Sequence, residues 1–369
     1  MIFGLTVSSS WGNGHATLWR GLCAALARRG HEVVFFERDV PYYALNRDLA
    51  ELPQGELCLY PGWEEVSGLA RRHLADADAA IVTSYCPDAL AAAEMVLDAP
   101  VPVRVFYDLD TPVTLARLQA GQAVEYVPPQ GLGEFDLVLS YTGGEALDEL
   151  RWRLGAGRVL PLYGSVDPDA YRPDAPLPHY RADLSYMGTY AADRQAKLEQ
   201  LLVEPARRLP QKRFLIGGAQ YPESFPWSGN IYFVRHLPPA EHRAFYSSSR
   251  LTLNVTRAAM ARMGYCPSGR LFEAAACGAP ILSDAWEGLD AFFRPGAEIL
   301  LAHGTEDAMA ALETPDAELA RIGRQARERT LAEHTADNRA AELEALVQDA
   351  RGGSAAARPM AALSRAEAL

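Results

Sequence analysis

The order of the apolar runs constrains this chain more than any other feature. In the first half, short runs that read as strands (residues 2–8, 31–37, 79–83, 101–107 and 135–140) alternate with stretches that read as helices (17–29, 87–95 and 144–154). Strands joined through helices must run parallel, with the helices covering both faces of the sheet, so the pattern predicts a doubly wound α/β domain. A polar, proline-rich stretch, 160–173, interrupts the series and reads as a linker. A second series follows, with strands at 184–187, 213–216, 231–233, 251–254 and 280–283 and helices at 192–209, 239–247, 269–277 and 317–334. The expectation is two Rossmann-like domains facing each other, 1–165 and 166–335. A terminal helix over 336–350, placed to pack back on the first domain, and a mobile Ala/Arg-rich tail over 351–369 complete it.

Composition narrows the function. At 369 residues the chain exceeds what one core usually organises. No apolar run is long enough to span a membrane, and the N-terminus opens on a strand without a secretory signal, which makes the cytoplasm the expected location. The five cysteines are scattered, never spaced CxxC, and read as small core residues. Residues 1–165 hold 12 Lys and Arg against 21 Asp and Glu, whereas the remainder holds 23 against 26. An acidic first half is a poor partner for nucleic acid or an anionic membrane. The arginines that a diphosphate would need lie in the second half.

Within that half, Pro267-Ser268-Gly269-Arg270-Leu271-Phe272-Glu273 opens a helix that Gly278 and Pro280 end. Ser268 and Gly269 suit a helix N-terminus, where unpaired amides and the dipole attract phosphate, and Arg270 adds a fixed charge. Glu273 alone interrupts an apolar run, and a carboxylate can accept both hydrogen bonds of a ribose diol. Gly188 and Thr189 form a strand-to-helix turn ahead of Arg194, Asn254 and Arg257 follow another strand, and His236 is a candidate edge for a nucleobase. All of these are assigned to the nucleotide-sugar site.

In the first half, Gly12-Asn13-Gly14-His15 follows the first strand, where such a domain presents its working loop. His15, Asp108 and Asp110 are the candidates for orienting or deprotonating an acceptor. Asp108-Leu109-Asp110 also has the form of a metal-diphosphate clamp, but it falls in the acidic half, away from the arginines, and the expectation is no metal. Residues 12–17 with Glu37 as a ribose ligand would alternatively make a dinucleotide site of an NAD or FAD oxidoreductase. A same-fold sugar-nucleotide epimerase or binding protein is the other alternative.

Over residues 1–350 these motifs together resemble the CgeB-like branch of the GT-B glycosyltransferases. The matching segments are 268–284, Gly14-His15, Asp108-Leu109-Asp110-Thr111-Pro112, the 164–173 hinge and 188–194. The resemblance implies an acceptor bound mainly by the first domain, a nucleoside-diphosphate-sugar donor bound by the second, no metal and no further cofactor. Related retaining enzymes carry two glutamates around the phosphate loop. Glu273 matches the second, and Tyr265 occupies the place of the first. The sugar, base, acceptor, stereochemistry and oligomeric state are not legible at this level.

Overall fold

In the computed structural model residues 1–357 are described, and they form two parallel sheets. The first contains β1 (Ile2–Gly4), β2 (Val34–Arg38), β3 (Glu56–Tyr60), β4 (Ala79–Thr83), β5 (Val103–Asp108), β6 (Leu137–Ser140) and β7 (Val159–Pro161), in the order β3-β2-β1-β4-β5-β6-β7. The second contains β8 (Leu184–Met187), β9 (Phe214–Gly218), β10 (Ile231–Arg235), β11 (Thr252–Asn254), β12 (Ile281–Asp284) and β13 (Leu300–Ala302), in the order β10-β9-β8-β11-β12-β13. Every strand pair is parallel. Both orders reverse direction beside their first strand, the doubly wound arrangement the alternation predicts.

The central strands are buried from both faces. Val103, Val105, Phe106 and Tyr107 of β5 are all within 1% of full burial, as are Leu184 and Tyr186 of β8. Helices cover each face, because a parallel sheet with two apolar faces is stable only between two layers. Several elements escape the sequence reading, among them β3, β7, β13 and the helices Trp63–Asp76, Thr111–Gln119, Ala258–Met263 and Thr305–Leu312. β3 is an edge strand whose exposures alternate poorly (Glu56 and Leu59 outside, Cys58 and Tyr60 inside), and β7 and β13 are three residues long. Too few residues repeat for a period to show.

The final helix, Ala336–Ala357, packs against the first helix, His15–Arg28, with Ala336, Ala340 and Leu343 entering the core beneath β1. Arg28 pairs with Asp337 and Arg29 with Glu344 along the same contact. The helix enters the segment read as a tail, and the expectation for 358–369 lies outside the described residues. Among the described residues no helix is long and apolar enough to cross a membrane. All five cysteines are buried and unpaired.

The helix Asp316–Glu333 supports the helix Gly269–Ala276 at Gly323, where an added Cβ would lie 2.4 Å from the carbonyl oxygen of Gly278. Gly323→Ala is therefore expected to destabilise the protein. Overpacking against backbone costs about 1–3 kcal/mol and outweighs the roughly 1 kcal/mol gain in helix propensity. A lower melting temperature measures the effect, and an unchanged or raised one would show that the two helices part freely.

Candidate functional site: a cavity between two switch points

The reversal points of the two sheets face each other and enclose a cavity of about 970 Å³. Its walls come from loops at the carboxyl ends of β1, β5, β8, β9, β10 and β11, together with the start of the helix Gly269–Ala276. Ligands bind at such points because there adjacent loops diverge and leave a crevice.

On the second-domain wall the backbone itself forms the floor. The Gly188 amide donates to Gly217 (2.9 Å), and a Cβ on Gly218 would sit 2.1 Å from the Gly188 carbonyl oxygen, so only glycine permits this approach. Ser268 is extended at the N-cap and makes no side-chain capping bond, and it lines the cavity with Gly269. The first amides of the helix have no intrahelical partner and point to that end. Arg270 reaches across, held by Asn254 Oδ1 at 3.0 Å. Asn254 is in turn fixed by Ser283 Oγ at 3.0 Å. Asn254 is buried and lies behind the wall, which corrects its assignment: it orients Arg270 and does not itself line the site.

Arg194 donates to the Thr189 carbonyl at 3.2 Å, while its Nε is buried without a partner. Burial pushes its guanidinium below the ordinary arginine value, and the charges of Arg270 and Arg257 add to the effect. Arg257 is partly neutralised by Asp193 at 3.2 Å. Arg194 and Arg270 are thus the cations for which the wall supplies no carboxylate at ion-pair distance. His236 takes a left-handed backbone (φ 49°) and makes a tilted ring contact with Trp11 of the opposite domain, with ring centroids 4.2 Å apart.

Glu273 lies on the wall one turn beyond Ser268 and accepts a long hydrogen bond, 3.4 Å, from Thr17 of the first domain. Three residues the sequence reading passed over surround it. Burial and the Glu273 charge raise the Tyr171 and Tyr246 hydroxyls far above their ordinary range, and Tyr171 contacts His242 Nδ1 at 3.0 Å. His242 carries a signal only in hindsight, as a histidine on the inner face of the helix Pro239–Ser247.

The first-domain wall is set by one buried carboxylate. Glu37, fully buried, accepts hydrogen bonds from Thr6 Oγ1 (2.8 Å), the Val7 and Ser8 amides (2.7 and 2.9 Å) and Ser8 Oγ (2.5 Å). It ties the loop after β1 in place and has no capacity left for a ribose. This removes the dinucleotide reading of residues 12–17 with Glu37. The tied loop delivers His15, whose Nε2 lies 3.0 Å from Asp110 Oδ2. Burial pushes the Asp110 carboxyl up, but the hydrogen bond from His15 and then the charges of His15 and Arg257 overcome it and hold it below the ordinary value. An ionised Asp110 requires a proton on Nε2, which leaves Nδ1, buried and unpartnered, as the basic nitrogen.

Asp108 does not belong to this wall. It is fully buried, absent from the cavity lining, and accepts from the Asp110 amide at 3.0 Å. Residues two apart in a strand would share a face, but β5 ends at Asp108 and Asp110 is already the N-cap residue of the following helix, so the turn between them sends the two carboxylates apart. Its assignment as a catalytic residue is corrected to a structural one, and the two carboxylates do not converge as a metal clamp. Among the described residues one mixed ligand cluster occurs, Glu56, Cys58 and His73, on the edge strand β3 and the helix Trp63–Asp76 and away from the cavity.

The walls are joined beside the helix Gly269–Ala276. The Gly143 amide donates to the Tyr265 carbonyl (3.0 Å), the Tyr265 amide donates to Glu287 (2.7 Å), and Thr142 Oγ1 meets Cys266 Sγ at 3.1 Å. Tyr265 itself is left-handed (φ 46°), with its ring packed against Gly144 and Gly288 and off the cavity wall.

The second sheet and its flanking helices account for the sequence match: residues 194–345 match a family described as glycosyl transferase-like. No match was found among curated proteins. The fold is shared over nearly the whole chain with a sucrose-phosphate synthase from Thermosynechococcus elongatus (TM-score 0.73, 16% identity, 95% of this chain and 98% of that one). It is shared also with Anabaena HepE in complex with UDP-glucose (0.64, 12%, 94% and 98%). A third is an alpha-glucosyltransferase in complex with UDP-glucose and DNA containing an abasic site (0.67, 14%, 94% and 98%). The chain therefore has the two-domain GT-B fold of these structures, and residues 194–345 of it match a glycosyl transferase-like family. None of these matches distinguishes a CgeB-like branch.

Burial pushes the Asp108 carboxyl up to about 6, against hydrogen bonds from Thr114 and Asp110 that lower it. A folded-state pKa above the unfolded value means stability present at pH 4 and lost as pH rises through 6. Asp108→Asn removes that loss, so its stability relative to the native protein should rise between pH 4 and pH 7 by on the order of 2–3 kcal/mol. Urea unfolding at the two pH values measures it. A constant difference would mean that Asp108 is ionised at no cost.

Proposed function

We propose that this protein transfers a sugar from a nucleoside-diphosphate-sugar to an acceptor hydroxyl, using no metal. The observation that carries the reading is the division of one cavity: two arginines without a carboxylate partner, a helix N-terminus and Glu273 on one wall, and an Asp-oriented histidine on the other. Glu273 holds the ribose diol, and the diphosphate lies over Gly188 and Gly269 toward Arg194, Arg257 and Arg270. His236 and Thr189 border the base and the diphosphate. The acceptor oxygen attacks the anomeric carbon while the bond from that carbon to the diphosphate oxygen breaks, with its electron pair leaving on the diphosphate. Arg194, Arg270 and the helix amides meet the charge as it develops, which is the largest electrostatic demand of the step. The acceptor proton passes to the His15 imidazole, and Asp110 stabilises the imidazolium that results. UDP-glucose, the donor bound to two of the structural neighbours, is the first donor to test.

Two outcomes follow from the opposed walls. Glu273→Ala should weaken nucleotide binding by about 1.5–3 kcal/mol, the scale for hydrogen bonds to a charged group. Calorimetry with UDP and UDP-glucose reads this directly, and unchanged affinity in a folded variant removes Glu273 from the donor site. His15→Ala should keep donor affinity yet lower turnover by about 100- to 10,000-fold, the scale of general acid–base groups. Near-native turnover in that variant would leave His15 a positioning contact only.

A further inference from the structure

The two walls differ in charge as sharply as in chemistry. Every arginine on the cavity lining belongs to the second domain. The acceptor wall is made by Leu5, Leu18, Tyr43, Tyr85 and Tyr141 around the His15–Asp110 pair, which sums to zero if His15 is protonated and to minus one if it is neutral. The first-domain arginines nearest the loop are already engaged behind it. Arg20 binds Asp48 at 2.6 Å and the Val7 carbonyl at 2.9 Å, and Arg47 binds Asp39 at 2.6 Å and Ser8 Oγ at 3.1 Å. Arg117 is close enough to Tyr85 to influence its hydroxyl but is not on the wall.

Tyr85 adds shape to this wall. It follows β4 at the switch point and takes a left-handed backbone (φ 60°), an unfavourable conformation for an aromatic residue. Its ring is braced against Tyr126, with centroids 4.9 Å apart, and lies 6.4 Å from the His15 ring. The chain accepts backbone strain to hold an aromatic ring on the same wall as His15, a placement of use to a substrate with an apolar face.

Resting on the glycosyltransferase reading above, we infer that the acceptor is an uncharged, hydroxylated molecule with an apolar face that lies against Tyr85 and Tyr43. A phosphorylated sugar or a nucleic acid strand would set its phosphates against a wall with an ionised Asp110 and no unpaired cation, and like-charge contacts of this kind select strongly against a partner. A neutral sugar ring, whose C–H face stacks on tyrosine, and a phenolic aglycone share this chemistry.

Matched acceptor pairs test the inference on the full chain with UDP-, GDP-, ADP- or TDP-glucose, whichever supports hydrolysis. Glucose against glucose 6-phosphate and fructose against fructose 6-phosphate form the sugar arm. The phenol arm sets 4-hydroxybenzyl alcohol against 4-hydroxybenzoate, and a duplex carrying hydroxymethyluracil is the polymer control. The neutral member of at least one pair should be favoured by about tenfold or more in kcat/KM, and the arm that reacts identifies the source. Preference for the anionic member, use of the duplex, or no neutral acceptor raising turnover above hydrolysis in water overturns the inference. Absence of any donor binding instead overturns the donor site on which it rests. In parallel, Tyr85→Leu should raise the acceptor KM about fivefold or more at unchanged nucleotide Kd, with Tyr85→Phe restoring it. Equal KM values in all three proteins would remove Tyr85 from the acceptor wall.

Discussion

Parallel strand pairing decides where this molecule can act. A parallel sheet needs crossovers on both faces, so its faces are committed to packing and only the loops at its carboxyl edge are free for chemistry. Each sheet here reverses its winding once, at β1 beside β4 and at β8 beside β11. The loops that diverge at those two points carry His15 and Tyr85 on one side and Gly188, Arg194 and Arg257 on the other. Nothing else in the fold brings these residues together, for His15 and Arg257 lie in different domains and in widely separated parts of the chain.

The facing of the two points is maintained by polar contacts across the cavity and by a few apolar contacts beside it. The hydrophobic clusters lie mostly within their own halves; Met263 packs on the first domain's core, Tyr163 on the second's, and Ala336, Ala340, Leu343 and Ala350 of the last helix return to the first domain. Across the cavity run the Thr17–Glu273, Gln220–Tyr42 and Gly143–Tyr265 hydrogen bonds and the Trp11–His236 ring contact. Contacts of this kind are individually weak and exchange readily with water. They suit an interface that must admit and release a ligand, since domains joined by small polar interfaces move relative to each other by default.

Much of the architecture was legible in the sequence, and the reasons for the gaps are specific. Buried strands announce themselves by composition: residues 79–83 and 184–187 were read with the bounds that β4 and β8 have. The start of the helix Gly269–Ala276 was legible because Ser268 and Gly269 stand just ahead of an apolar run. What sequence spacing does not convey is which side of the chain a polar residue faces. Asp108 and Asp110 look equivalent in sequence, yet the turn sends one into the core and the other to His15. Glu37 and Asn254 both end strands, as ligands often do, but four hydrogen bonds from the first loop occupy Glu37, and Asn254 serves Arg270. Tyr171, His242 and Tyr246 come from two distant segments, and only the fold brings them to Glu273.

Tyr265 shows how a departure from a family pattern becomes built in. The position where related enzymes place a sugar-contacting glutamate is here a left-handed residue whose amide and carbonyl bridge Glu287 and Gly143, with its ring packed on two glycines. Its backbone is committed to joining the domains, and its side chain points off the cavity wall. The carboxylates that do line the cavity each have a partner: Asp110 with His15, Asp193 with Arg257, and Glu273 beside Thr17. In the transfer proposed above, the developing charge would meet cations on the second-domain wall and the Asp110–His15 pair on the first, with no additional carboxylate contributed from residue 265. The basic nitrogen at the acceptor end consequently matters more than it would in a site carrying both glutamates, and Glu37, by fixing the loop that presents His15, becomes the residue on which that nitrogen's position depends.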